Sequence, residues 1–93
     1  MSRTKTIYNQ DYCLFIQCLC EERKRLGLSQ LEVAQKLGMT QSEISKIEMS
    51  ERRVDIFELK QLLRVYRVQH NEKLRHFVVD FFGLELHEHN GKE

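Results

Sequence analysis

At 93 residues with a formal net charge of +1, the chain is sized for one small domain, of a kind that buries only somewhat over ~60% of its unfolded surface. It has no proline, no apolar run near the ~20 residues of a membrane span, and an opening Ser-Arg-Thr-Lys-Thr without the apolar core of a signal peptide. These features argue against a membrane protein and for a single cytoplasmic domain over 1–93, loose only at 1–6 and 87–93.

From about Asn9, the apolar residues Tyr12, Phe15, Ile16, Leu19 and Leu26 recur at near-helical spacing, and Gly27 ends this first helix. Three further segments each open with a capping residue, a glutamate three positions later and an apolar pair around the cap. Ser29 with Glu32 is flanked by Leu28 and Val33, Thr40 with Glu43 by Met39 and Ile44, and Asp55 with Glu58 by Val54 and Leu59. Helices are therefore expected to begin near Gln30, Gln41 and Ile56. A fifth carries Leu74, Phe77, Val78 and Phe81 on one stripe, with Asn71 as its cap and Gly83 as its stop. The expectation is an all-α compact bundle of five helices, with Leu84-Glu85-Leu86 as a possible short exchanged strand.

The second and third helices have the spacing of a helix-turn-helix over 30–48. Gly38 can take the positive φ that ends the second helix sharply, and Ala34 is small enough to let the third approach closely. The third helix is then presented outward as a reader of DNA. On a wheel of ~100° per residue, Gln41, Ser42, Ser45 and Lys46 share one arc, with Ile44 and Ile47 opposite. Gln can pair with an adenine edge, Ser can donate or accept, and Lys can reach a guanine edge or a phosphate. Arg52 and Arg53 follow in a polar loop and are phosphate candidates. Charge distribution agrees: residues 1–69 carry twelve basic and nine acidic side chains, and residues 70–93 three and five. A solvated helix face is the alternative for the polar arc, and a solvated loop for the two arginines.

The residues Gly27-Leu28-Ser29-Gln30, Val33-Ala34, Leu37-Gly38, Gln41-Ser42, Ile44-Ser45-Lys46-Ile47-Glu48 and Glu51-Arg52-Arg53-Val54-Asp55 give the chain its family likeness. Over about 12–68 it resembles the Xre-like, lambda-repressor-like helix-turn-helix family of phage and bacterial regulators. The resemblance implies base reading by the outer face of the third helix, and a Gln30 that binds a phosphate and braces Gln41. It also implies a partly buried ion pair between Arg23 and Glu48. The expected DNA-binding set is thus Gln30, Thr40 as the cap of the reading helix, Gln41, Ser42, Ser45, Lys46, Arg52 and Arg53. The pattern departs at Met49-Ser50, where relatives usually have a basic residue and glycine, and a turn of different shape is expected there.

Cys13, Cys18 and Cys20 are odd in number and lack a second cysteine pair. His70, His76, His87 and His89 lack Cys or carboxylate partners at zinc spacing. No metal, cofactor or enzymatic constellation is therefore expected. The fifth helix carries more apolar surface than one packed face needs, with Val79 and Phe82 a quarter turn from the main stripe. A homodimer through Leu74, Phe77, Val78, Phe81 and Phe82, within a C-terminal element over 71–86, would cover it and place two readers on a palindromic operator. Completion of the monomer core is the alternative reading of these residues. Two functions remain open: a sequence-specific, double-stranded DNA-binding transcriptional regulator, or an antitoxin-like interaction protein. In the second, the C-terminal helix grips a protein partner and the helix-turn-helix autoregulates its operon.

Overall fold

The computed structural model describes residues 9–84, which form five α-helices. These are α1 (Gln10–Arg25), α2 (Gln30–Leu37), α3 (Gln41–Glu48), α4 (Ile56–Val65) and α5 (Glu72–Phe82), with a one-turn 3₁₀ helix at Val68–His70 between the last two. The chain is all-helical among the described residues, as the spacing predicts. The 3₁₀ turn carries no periodic signal of its own.

Each helix begins where its cap allows. Ser29, Thr40 and Asp55 accept from the backbone N–H of Glu32, Glu43 and Glu58, and those glutamates return the bond to the cap N–H, so all three capping boxes form. Asn9 and Asn71 cap α1 and α5 through single bonds to Tyr12 and Leu74. Gly38 closes α2 at φ 70°, with the Met39 N–H donating to the Ala34 carbonyl at 2.9 Å, a left-handed exit that glycine enters without strain.

The exit of α3 is built on the same plan with a different residue. Ser50 takes φ 59°, and the Glu51 N–H reaches back to the Lys46 carbonyl at 2.9 Å. The serine thus adopts the left-handed conformation itself, so its presence in place of glycine adds strain to the turn rather than the change of shape expected from the sequence. Arg67, after α4, is a second non-glycine residue in this region at φ 58°.

The core lies where α1 crosses α3 and α5 and where α2 packs on α3 and α4. Phe15, Ile16, Leu19, Val33, Ala34, Ile44, Ile47, Leu62, Tyr66 and Leu74 are buried within it, each large aliphatic side chain contributing on the order of 2 kcal/mol by leaving water. Three polar or charged residues share this interior: Glu22, Arg23 and Asn71. Glu22 is fully buried and accepts from Asn71 Nδ2 at 2.7 Å and Arg25 Nε at 2.8 Å, tying α1 to the start of α5. Burial by itself would raise the Glu22 pKa, but the bonds from Arg25 and Asn71 outweigh it and hold the carboxyl below its ordinary value.

The α5 stripe divides between core and surface. Leu74 has no exposed area, so it belongs to the monomer core and is withdrawn from the expected dimer face. Phe77, Val78 and Phe81 are half-buried against the same core, with Phe81 stacked on Phe15 at 4.5 Å between centroids and Phe77 at 6.0 Å. Phe82 stays 48% exposed, beside the exposed Leu84. Leu84 is the last described residue, and the strand expected around Glu85 and Leu86 lies outside the described residues.

Candidate nucleic-acid interface

Helix α3 is seated by Ile44 and Ile47, both buried, and held at its start by the Thr40 capping box. That seating fixes the opposite arc. Gln41, Ser42 and Lys46 are exposed, and Ser45 is half-buried at the edge of the same face. The Thr40 hydroxyl is occupied within the cap, accepting from the Glu43 N–H at 3.1 Å and lying 3.3 Å from the Glu43 carboxylate.

A chain of hydrogen bonds runs from the protein interior to Gln41. Arg23 donates to the Glu48 carboxylate through Nε at 2.6 Å and Nη2 at 3.0 Å, the paired geometry in which guanidinium and carboxylate bind most tightly. Both side chains are about nine-tenths buried, at 11% and 10% exposure. Glu48 Oε1 also accepts from Gln30 Nε2 at 2.9 Å, and Gln30 Oε1 accepts from Gln41 Nε2 at 3.2 Å. Arg23 is fixed in turn by its bond to the Leu28 carbonyl at 2.8 Å, just before α2. The predicted ion pair and the predicted bracing of Gln41 by Gln30 are therefore parts of one continuous array. With both its amide oxygen and one amide hydrogen engaged inside the protein, Gln30 has a further N–H to offer a phosphate.

Electrostatics fix the charge states of this array. Burial pushes the Glu48 pKa up, but hydrogen bonds from Arg23 and Gln30 and the Arg23 charge reverse that push, and the net pKa is lowered. Arg23 is correspondingly raised by its bond to Glu48. Cys20 is an unexpected member, its thiol donating to Glu48 Oε1 at 3.4 Å, with a pKa raised by burial and by the neighbouring carboxylate. Side-chain periodicity along α1 assigns Cys20 no such role; the contact arises from the crossing of α1 over the end of α3.

The two arginines after α3 have different surroundings. Arg52 forms a two-pronged pair with Glu58 at 2.9 and 2.8 Å, and the Glu58 carboxylate also serves the Asp55 capping box. Arg52 thus braces the α3–α4 loop, with its charge partly neutralised. Arg53 lies 4.5 Å above the Tyr12 ring, and the Tyr12 hydroxyl accepts from the neighbouring Val54 N–H at 3.0 Å. Tyr12 and Glu58 support the two arginines in a way that the sequence does not signal. Tyr12 read as a core position of α1 and Glu58 as a capping residue, and no local spacing signals the second contact of either.

Among the described residues, no group of three or more His, Cys, Asp or Glu side chains is placed to hold a metal ion. No described helix is long and apolar enough to cross a membrane. A family model described as helix-turn-helix matches residues 21–73, more than half of the chain and including the whole α2–α3 unit. No curated protein matches the chain. With the capped α2–α3 unit, its buried ion pair and this match in agreement, the chain belongs to the Xre-like, lambda-repressor-like helix-turn-helix family of DNA-binding regulators.

Proposed function

We propose that this protein is a sequence-specific regulator that binds double-stranded DNA as a homodimer on a palindromic operator. The helix beginning at Gln41 enters the major groove. The observation that carries the reading is the array Arg23–Glu48–Gln30–Gln41, which holds the first residue of α3 against the body of the protein. An exposed glutamine gains little for folding from such support, whereas a base reader gains preorganisation, because its side-chain entropy is spent before DNA arrives. Gln41, Ser42, Ser45 and Lys46 read bases; Gln30 and Arg53 seat the helix on phosphates. Thr40 and Arg52 act through the capping box and the Glu58 pair, which fix where the reading helix starts and where the following loop lies.

The dimer rests on apolar surface left over after the monomer has packed. Leu14 on α1, Phe82 on α5 and Leu84 are each about half exposed, next to the half-buried Phe77 and Phe81. The same surface suits the second reading, in which a protein partner occupies it and DNA binding serves autoregulation. Selection of bound sequences from random duplexes tests the proposal. A palindrome with half-sites about one helical turn apart supports it. Enrichment of a lone half-site, together with a monomer in sedimentation, removes the homodimer, and no enriched sequence removes specific readout altogether.

A further inference from the structure

A concavity lies at the ends of α2 and α4 remote from Gln30 and the Asp55 cap. It measures about 610 Å³ and is lined by Leu26, Leu28, Lys36, Gln61, Arg64, Val65 and Arg67. An adjoining hollow of about 390 Å³ shares Arg64 and Arg67 and extends past Val68 to His70. The two meet at Arg64 and Arg67 in one open trough, lined by the apolar Leu26, Leu28, Val65 and Val68 and by the cations Lys36, Arg64 and Arg67. Among the described residues, no acidic side chain lines either part. Among the described residues, neither the Arg64 nor the Arg67 guanidinium takes part in an ion pair or side-chain hydrogen bond.

Two features separate this trough from the DNA face. Helix α2 puts Gln30 at its start, in the array that supports Gln41, and Lys36 in its last turn. Helix α4 begins at the Asp55 cap beside the Arg52–Arg53 loop and ends at Arg64 and Val65, a length of about 15 Å for its ten residues. Both helices thus carry DNA-facing groups at one end and trough cations at the other. Arg67 is also held in the left-handed region, where an arginine is strained and a glycine would not be.

We propose that this trough is a docking site for an acidic segment of a partner protein, in which carboxylates alternate with aliphatic side chains. Charge complementarity selects the ligand class: among the described lining residues the cations meet no carboxylate, only Lys36 feels one from outside the lining, Glu32, and the leucine and valine side chains offer aliphatic groups a place beside them. The open, elongated form fits an extended peptide better than a small molecule, which needs a pocket that surrounds it. DNA and an acidic partner could then be held at the same time, on opposite ends of α2 and α4.

The test is fluorescence anisotropy of a labelled peptide alternating Glu and Leu, titrated with the full chain alone and with the chain saturated by duplex DNA. Binding in both conditions is expected, with a Lys–Leu peptide failing to bind. The double variant Arg64→Ala/Arg67→Gly should weaken the peptide at least about fivefold and leave DNA affinity and its salt dependence unchanged. Glycine is chosen at 67 so that the left-handed turn is kept without strain, and unchanged DNA binding reports an intact fold. The proposal is overturned if the Glu–Leu peptide does not bind, if DNA displaces it, or if the double variant loses DNA affinity with a shallower salt dependence. That last result would make the trough a phosphate track.

Discussion

At the α2–α3 end of the molecule, side chains are held by directional bonds: Arg23 to Glu48, Glu48 to Gln30, Gln30 to Gln41, each between 2.6 and 3.2 Å. At the α1–α5 end, Phe15, Phe77, Phe81 and Phe82 are held by ring packing, with centroids 4.5 to 6.2 Å apart and tilts from 23° to 78° for the pairs made by Phe15. The first arrangement specifies an angle and a distance; the second specifies mainly burial. The proposed function would use both: precision where a hydrogen bond must meet a base edge, and tolerance where two apolar surfaces come together. The α3 interface therefore responds to the loss of a single donor, while the aromatic end responds to lost volume.

The largest expected effect breaks the aromatic end. Phe15→Ala removes the ring on which Phe77, Phe81 and Phe82 converge, and should destabilise the chain by about 4 kcal/mol in urea titration. Phe82→Ala, at an exposed edge, should cost less than about 1 kcal/mol of monomer stability while weakening self-association in sedimentation. Equal losses from the two variants would refute the division between core and surface rings.

Next comes the ion pair. Arg23→Met leaves the Glu48 carboxylate buried without its main partner, and should cost about 3 kcal/mol. It should also reduce DNA affinity beyond what unfolding explains, since Gln30 loses its fixed anchor. Adding Glu48→Met should restore much of the stability but not the affinity; recovery of both would mean that the pair serves folding alone. Acid should probe this pair and, at the α1–α5 junction, Glu22. The lowered pKa values of Glu48 and Glu22 mean that the folded state binds fewer protons than the unfolded one in the acid range. The stability they supply is present above the ordinary carboxylate range and is lost as pH falls through their folded values. Arg23→Met should remove the Glu48 part of this acid dependence and leave the Glu22 part, which rests on Arg25 and Asn71.

Smaller effects sharpen the comparison. Gln41→Ala should lower DNA affinity by about 1 to 3 kcal/mol and relax preference at one base pair, with stability almost unchanged because Gln41 is exposed. Unchanged affinity and preference would remove Gln41 from the reader set. Ser50→Gly should raise stability by roughly 0.5 to 1 kcal/mol by relieving the left-handed serine at φ 59°. A loss in thermal melting would show that the serine side chain contributes something the backbone strain does not cancel.

The helices and their boundaries were legible because their determinants are local: Ser29, Thr40 and Asp55 each meet a glutamate three residues away, and Gly38 supplies its own exit. The outward arc of α3 was legible for the same reason, since 3.6-residue periodicity places Ile44 and Ile47 against the body. The ion pair and the Gln30–Gln41 contact were carried by family likeness, because residues 25 and 11 positions apart have no local signature. What only the tertiary structure decided are contacts made where helices cross. Leu74 went to the core rather than to a dimer face, Arg52 to Glu58, and Arg53 to the ring of Tyr12. Lys36, Arg64 and Arg67 were gathered into one trough from separate elements. The physical reason is common to all four: hydrophobic periodicity tells which side of a helix is buried, but the crossing of helices determines what meets it.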